Sequence, residues 1–203
     1  MNNRSVYLRA FEPEDYKLIN KWRNDYEIQS LTCGHFRYVS TIMEKSWTEN
    51  LMLNNKENVY LSIILNDGSD KMIGYTSINN INHIDRKAHG GGIVIGDKES
   101  RGADILTDTF ILLFQHAFDD LNLHRLTGAC LEEHTDSRLM METMGMKMEG
   151  IEYDSICKLG KYHNVCKYAI LSNDYYRMTN NGDFSMKSFL QRYKQAKSNL
   201  KRI

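Results

Sequence analysis

The sequence predicts a mixed α+β fold: one central sheet, mostly antiparallel, flanked by helices, with an extra helix at the C-terminal end. Three observations carry that prediction. β-patterned runs and amphipathic helical stretches follow one another as strand, two helices, two hairpin strands, strand, helix, strand, helix, two strands. The Asp-Gly pair at 67–68 and the glycine at 160 each sit between apolar runs, which joins neighbouring strands antiparallel. One stretch, 90–118, runs instead as strand, polar turn and helix, a crossover that makes the sheet mixed. With 203 residues, 41% hydrophobic content and a single proline, the chain suits one compact domain over 1–175 and a tail of different character over 176–203.

Taken in order, residues 5–11 alternate as a strand with Val6, Leu8 and Ala10 on one face. Glu12 reads as a cap, Pro13 as the first helical residue, and Glu14 and Asp15 as an acidic first turn. Tyr16, Leu18, Ile19 and Trp22 continue at helical spacing to about Asn24. A loop over 30–39 holds Cys33, His35, Phe36, Arg37 and Tyr38, and a second helix covers 42–53. Strands follow at 59–65, 72–78 and 87–95. The helix 104–118 lines Leu106, Phe110, Leu113, Phe114, Ala117 and Phe118 along one face for burial on the sheet. A strand over 124–132 leads to His134, and a helix over 136–144 stops at Gly145, which suits a left-handed cap. Two antiparallel strands close the domain around Gly160. The tail carries seven basic residues and one acidic one, with Phe184, Phe189, Leu190 and Tyr193 at near-helical spacing. That stripe needs burial, which favours a helix packed on the domain, or on a second copy as a homodimer, over an arm for nucleic acid.

A formal net charge of +0 supplies no global field for nucleic acid or a membrane surface. No run reaches the roughly 20 apolar residues of a bilayer span, and the first ten residues lack a signal-peptide apolar region, so a cytoplasmic setting without a membrane partner is expected. Cys33, Cys130, Cys157 and Cys166 show neither Cys-x-x-Cys nor zinc spacing with histidine, so reduced thiols and no metal are expected. Function is most legible in 90–118. A strand, a turn holding Gly102 and a helix N-terminus present unpaired N–H groups and about half a positive charge, which suits a phosphate-bearing ligand.

Six pieces in order, YLRAFEPEDYKLINKWRND, MIGYTSI, IVIGDKESRG, LNLHRLTGACLEEHTDS, ETMGMKMEG and GKYHNVCKYAILSNDY, resemble the GNAT superfamily of acetyl-CoA-dependent N-acetyltransferases. The resemblance covers about residues 5–172 and is nearest to the branch of ribosomal-protein N-terminal and amino-sugar acetyltransferases. It implies a GNAT-like fold, acetyl-CoA as co-substrate, and pantetheine lying along Ile93, Val94 and Ile95. It implies a pyrophosphate on the turn Glu99, Ser100, Arg101, Gly102, Ala103, Asp104, continued by the amides of Ile105 and Leu106, with His134 in the place of a family asparagine. Glu99 and Asp104 depart from the family pattern, because carboxylates repel a pyrophosphate at short range. Arg101 offsets one of them.

The implied reaction is attack by a primary amine on the thioester in a ternary complex, with the Val94 amide holding the oxyanion. Ser137 is the candidate acid for the leaving thiolate, ahead of Tyr153 and Tyr162, because the family's tyrosine slot falls on Met141. The family's glutamate base slot falls on Gly90, leaving His89, Glu132, Glu133 and His134 as candidate bases. Trp22, Arg23, Asn24, His35 and Arg37, with Phe36 and Tyr38, are the candidate acceptor contacts. The arginines suit an anionic acceptor such as a nucleotide-linked amino sugar, and a protein N-terminus is the other expected small-amine or peptide partner. The competing reading is a GNAT-like module that binds CoA or regulates without turnover, motivated by the altered turn and the missing glutamate.

Overall fold

The computed structural model describes residues 4–200. Seven strands form one sheet: β1 (Val6–Ala10), β2 (Val59–Leu65), β3 (Met72–Asn82), β4 (Lys87–Ile95), β5 (Arg125–Leu131), β6 (Lys147–Lys158) and β7 (Lys161–Leu171). Their spatial order is β1-β2-β3-β4-β5-β7-β6, and every neighbouring pair is antiparallel except β4 and β5. The helices are α1 (Tyr16–Arg23), α2 (Tyr26–Ser30), α3 (Thr41–Leu53), α4 (Ala103–Gln115), α5 (Thr135–Thr143), α6 (Ser172–Asn180) and α7 (Met186–Leu200). The mixed, mostly antiparallel sheet with flanking helices is the GNAT-like arrangement the sequence predicted.

Apolar side chains divide over the two faces of the sheet. Ile19, Trp22 and Ile28 from α1 and α2 pack with Phe11, Ile64 and Met72, and Trp47, Leu51 and Tyr75 join them. On the other face Ile105 of α4 packs with Val6, Ile63, Ile73 and Ile95. The largest cluster joins Phe114 and Phe118 to Leu126, Met144, Tyr168, Tyr175 and Phe189. Phe189 lies on α7, so the tail folds back onto the domain. Arg192 of α7 reinforces the packing by donating through Nε to the Thr143 carbonyl of α5 at 2.8 Å.

Four details differ from the sequence-based expectation. The first helix begins at Tyr16, after a turn at 13–15, because the Asp15 carboxylate is drawn inward by Arg9, Ser62 and the Glu12 amide. The 30–39 loop is preceded by an unforeseen helix, α2, capped by Asp25 on the amides of Glu27 and Ile28. β3 runs on to Asn82, and α6 crosses the 175/176 boundary before α7 forms within the tail; residues 201–203 lie outside the described part.

Candidate functional site

The sheet opens beside β4. β4 pairs with β3 along most of its length, but with β5 only from Lys87 to His89, opposite Arg125 to Thr127. Beyond His89 the two strands part, and β5 continues against β7 alone. At the parting point Ile93 opposes Thr76 while Gly90 opposes Ile78, so β4 carries one extra residue. Gly91 and Gly92 accommodate it. Gly92 takes φ +80°, and a Cβ on Gly91 would collide with Ser77 Oγ and Asn79 Nδ2.

Register decides which β4 amides face the opening. Gly96 N donates to Ile73 O at 2.9 Å, and alternation along an antiparallel ladder turns Val94 toward Tyr75 on β3. The amides of Ile93 and Ile95 therefore face the open side, and the Ile95 carbonyl accepts from Arg101 Nε at 3.3 Å. This corrects the expected oxyanion donor: Val94's N–H belongs to the β3 ladder, and Ile93's is the first past the bulge on the open side.

Below the opening, a 3₁₀ turn over Lys98–Ser100 leads through Arg101 to Gly102, the N-cap of α4. No side chain caps α4, so its first-turn amides stay available to an anion. Gly102 is extended, and a Cβ there would meet Asp104 Oδ1, which folds back over the cap while Asp104 Oδ2 accepts from Ser5 Oγ at 3.1 Å. The Glu99 side chain is exposed. The carboxylate that engages the turn's cations is Glu27 on α2, which takes Lys98 Nζ at 2.5 Å and Arg101 Nη1 at 3.3 Å. Lys98, then Arg101, hold the Glu27 carboxyl below its ordinary range. At its other end α2 is held by Lys158 on β6, whose Nζ donates to the carbonyls of Gln29 at 3.1 Å and Ser30 at 3.3 Å, and to that of Thr32. The short helix thus bridges the mouth of the opening, from the β4–α4 turn to the tip of the β6–β7 hairpin.

The candidate acid and bases are sorted by their partners. His134 is the N-cap of α5, its Nδ1 accepting the Ser137 amide at 3.2 Å, so it fills a role ordinarily taken by asparagine. Ser137 Oγ makes no hydrogen bond among the described residues. Glu132 accepts from Asn164 Nδ2 at 2.7 Å, and Glu133 is bound to His163 Nδ1. Burial raises the Glu133 carboxyl, but its backbone bond and His163 outweigh that and leave it below its ordinary range. His89 differs. Its Nδ1 lies 3.1 Å from Thr127 Oγ1 and its Nε2 has no partner among the described residues. Burial, with Lys167 second, pulls its imidazole below the ordinary histidine range. Tyr153 and Tyr162 are exposed on the β6–β7 hairpin, and Met141 is core.

Residues 5–147 match the family model of the acetyltransferase (GNAT) domain. The chain belongs to the GNAT acetyltransferase family. In Bacillus subtilis, YdaF, a ribosomal N-acetyltransferase by name, is 30% identical over 112 residues, covering 55% of this chain and 59% of its own length. The match therefore spans less than two thirds of that relative. YjcK, an N-acetyltransferase by name from the same organism, is 25% identical over 178 residues, 86% of this chain and 98% of its own. The spermidine N-acetyltransferase of Vibrio cholerae, solved with CoA and spermine, superposes with a TM-score of 0.78 at 22% identity, over 85% of this chain and 98% of that one. At that identity the superposition speaks for the fold.

Acetyl-CoA is the acyl donor of GNAT enzymes, and this chain's residues fit it. The open β4 edge at Ile93 and Ile95 offers amides to a pantetheine arm. The uncapped amides of Ala103, Asp104, Ile105 and Leu106 form the α4 start, although Leu106 N already reaches Gly102 O at 3.1 Å. Lys98 and Arg101 add two cations. Among the described residues no group of three or more His, Cys, Asp or Glu converges on a metal position, and no helix is long and apolar enough to cross a membrane. A cavity of about 450 Å³ lies elsewhere, where Glu142 of α5 faces Gln191, Arg192 and Ala196 of α7.

On the acceptor side the five candidates separate. Trp22 is buried against Gly96 and stacks on Tyr75 at 6.3 Å. Arg23 Nη1 is bound to Glu44 Oε1 at 2.9 Å and its guanidinium lies 4.7 Å from the Trp47 ring centre. Asn24 Nδ2 donates to the Val39 carbonyl and Asn24 Oδ1 accepts from the Val39 N–H, at 2.9 Å each, which pins the loop. His35 and Arg37 are exposed, beside a row in which Tyr26, Phe36 and Tyr38 meet edge-on. Sequence reasoning missed the polar residues Ser77 and Asn79 against the β4 bulge, Tyr60 paired with Ser77, Thr127 beside His89, and the fully buried Glu44 on Arg23. Asn79 Oδ1 and Glu44 Oε2 are buried without a hydrogen bond among the described residues. Burial raises the Glu44 carboxyl against the pull of Arg23. Only the polar letters at 77 and 79 inside an apolar strand pattern signalled this set in the sequence.

Proposed function

We propose that the chain transfers the acetyl group of acetyl-CoA to a primary amine by direct attack in a ternary complex, and that the amine belongs to an anionic molecule of the amino-sugar-phosphate kind. The observation that carries the reading is the β4–β5 opening with one uncommitted imidazole nitrogen, His89 Nε2, at its base. Acetyl-CoA supplies the activated acetyl thioester. The Ile93 amide offers a hydrogen bond to the carbonyl oxygen as negative charge grows there. His89, neutral near pH 7 because burial lowers its proton affinity, takes the proton the amine sheds, through Nε2 or one water. Ser137 Oγ, at the start of α5, donates a proton to the departing sulfur.

Exposed Arg37 and His35 support an anionic acceptor, with Phe36 and Tyr38 offering ring faces. A peptide N-terminus is the second reading, favoured by the openness of the 30–39 loop and in keeping with the word ribosomal in YdaF's name. A polyamine, the substrate in the Vibrio neighbour's name, would bring like charge against Arg37.

Isothermal titration with acetyl-CoA tests the donor half: no heat at millimolar ligand would leave the non-catalytic module as the correct reading. Thiol release over nucleotide-linked amino sugars, N-terminal peptides and spermidine tests the acceptor half. We expect the highest kcat/KM on an anionic amine, and preference for spermidine would overturn that half. His89→Gln is expected to lower kcat about a hundredfold while leaving acetyl-CoA affinity near wild type.

A further inference from the structure

The geometry points to Thr127 as a positioning residue that fixes the His89 tautomer, so that Nδ1 carries the ring proton and Nε2 presents the lone pair. The inference rests on His89 being the proton acceptor.

Hydrogen counting carries it. A threonine hydroxyl has one proton to give. Thr127 Oγ1 donates to the Ala88 carbonyl at 3.2 Å and lies 3.1 Å from His89 Nδ1. The Ala88 carbonyl can only accept, so when the hydroxyl gives its proton there it accepts on the histidine side, and Nδ1 donates. In a neutral imidazole that leaves Nε2 unprotonated. The register holds the arrangement in place. His89 pairs with Thr127 across the parallel β4–β5 contact and with Asn79 on β3, and His89 is the last β4 residue bonded to β5 before the strands part. Both partners of the Thr127 hydroxyl therefore come from consecutive β4 residues at the base of the opening.

The charged neighbour that bears on His89 is Lys167 of β7, paired with Glu152 Oε1 of β6 at 3.3 Å. On β5, Arg125 is paired with Glu149 at 2.8 Å, and Asn79 on β3 is uncharged. No carboxylate competes with Thr127 for the Nδ1 proton in the bonds the ring makes. A carboxylate is the usual orienter of a catalytic histidine; here a hydroxyl anchored to a backbone carbonyl takes that part without adding charge that would hold the imidazolium.

The test compares Thr127→Val, which keeps shape and loses the hydroxyl, with Thr127→Ser, which keeps it. Ring ¹⁵N chemical shifts of His89 in the ligand-free protein read the tautomer directly. We expect the Nδ1–H form in wild type and Thr127→Ser, a mixture in Thr127→Val, and about a tenfold loss of kcat in Thr127→Val with acetyl-CoA KM held. An Nε2–H tautomer in wild type overturns the proposal, as does an unaltered tautomer in a folded Thr127→Val. If the tautomers behave as expected but His89→Gln keeps full turnover, Thr127 still sets the ring and the assignment of His89 as base fails alone.

Discussion

His134 and Ser137 show how one substitution redistributes roles at the start of α5. The imidazole Nδ1 reaches the amide that an asparagine side chain would reach, so the turn keeps its geometry and the Ser137 hydroxyl stays uncommitted. If Ser137 supplies the proton to the departing thiolate, Ser137→Ala lowers kcat about tenfold or more, and a thioester with a more acidic leaving thiol recovers part of the loss. Full turnover in Ser137→Ala would return the role to Tyr153 or Tyr162. Some placement at this scale was legible beforehand: the strand through 93–95, Gly102 at the start of α4 and His134 at the start of α5 all follow from local backbone pattern. Thr127 and Glu44 were not. Their partners, Ala88 with His89 and Arg23, lie far off in sequence, and only strand register or helix packing brings them together.

Among the elements, α2 escaped the sequence reading because five residues are too few for helical periodicity to register. Its existence is a tertiary matter: an Asp25 cap at one end, Lys158 gathering carbonyls at the other, and Ile28 buried beneath. Its Glu27 is the carboxylate that most directly engages the turn's cations. Glu99, which the sequence placed against the phosphates, is exposed. Glu27→Gln releases Lys98 and Arg101, so acetyl-CoA should bind several-fold more tightly, with a steeper dependence on salt. Titration against acetyl-pantetheine, which lacks the pyrophosphate, is expected to show no such gain. An equal gain for both ligands would remove Glu27 from the phosphate argument.

Across the whole molecule, the order of elements is enough to predict a mixed sheet, because periodicity and turn chemistry are written locally. What the order did not contain was where β4 and β5 separate, which depends on the glycine pair at 91–92 and on which strands β5 chooses. Stability is distributed the same way. Burial raises the Asp15 carboxyl, but Arg9, the Glu12 amide and Ser62 outweigh it and lower the value below the ordinary range. A depressed carboxylate contributes stability above its unfolded value and loses it as pH falls through the folded one. Asp15→Asn is therefore expected to cost about 2–3 kcal/mol near neutrality, the deficit shrinking below about pH 4 in urea titrations. Phe189→Ala, which empties a buried site under α7, is expected to cost about 3 kcal/mol and to loosen α5 with it. Finally, the bridge formed by α2 has a kinetic corollary. The cations that fasten its forward end are the ones a pyrophosphate would recruit, and its rear end leads into the loop that carries Arg37. If that loop receives the amine, as proposed, arrival of the donor would unbuckle one end of the strap that leads into it. On that reading a compulsory order is expected, acetyl-CoA before amine, visible as dead-end inhibition by an amine analogue that is uncompetitive against acetyl-CoA in wild type and drifts toward random order in Glu27→Gln.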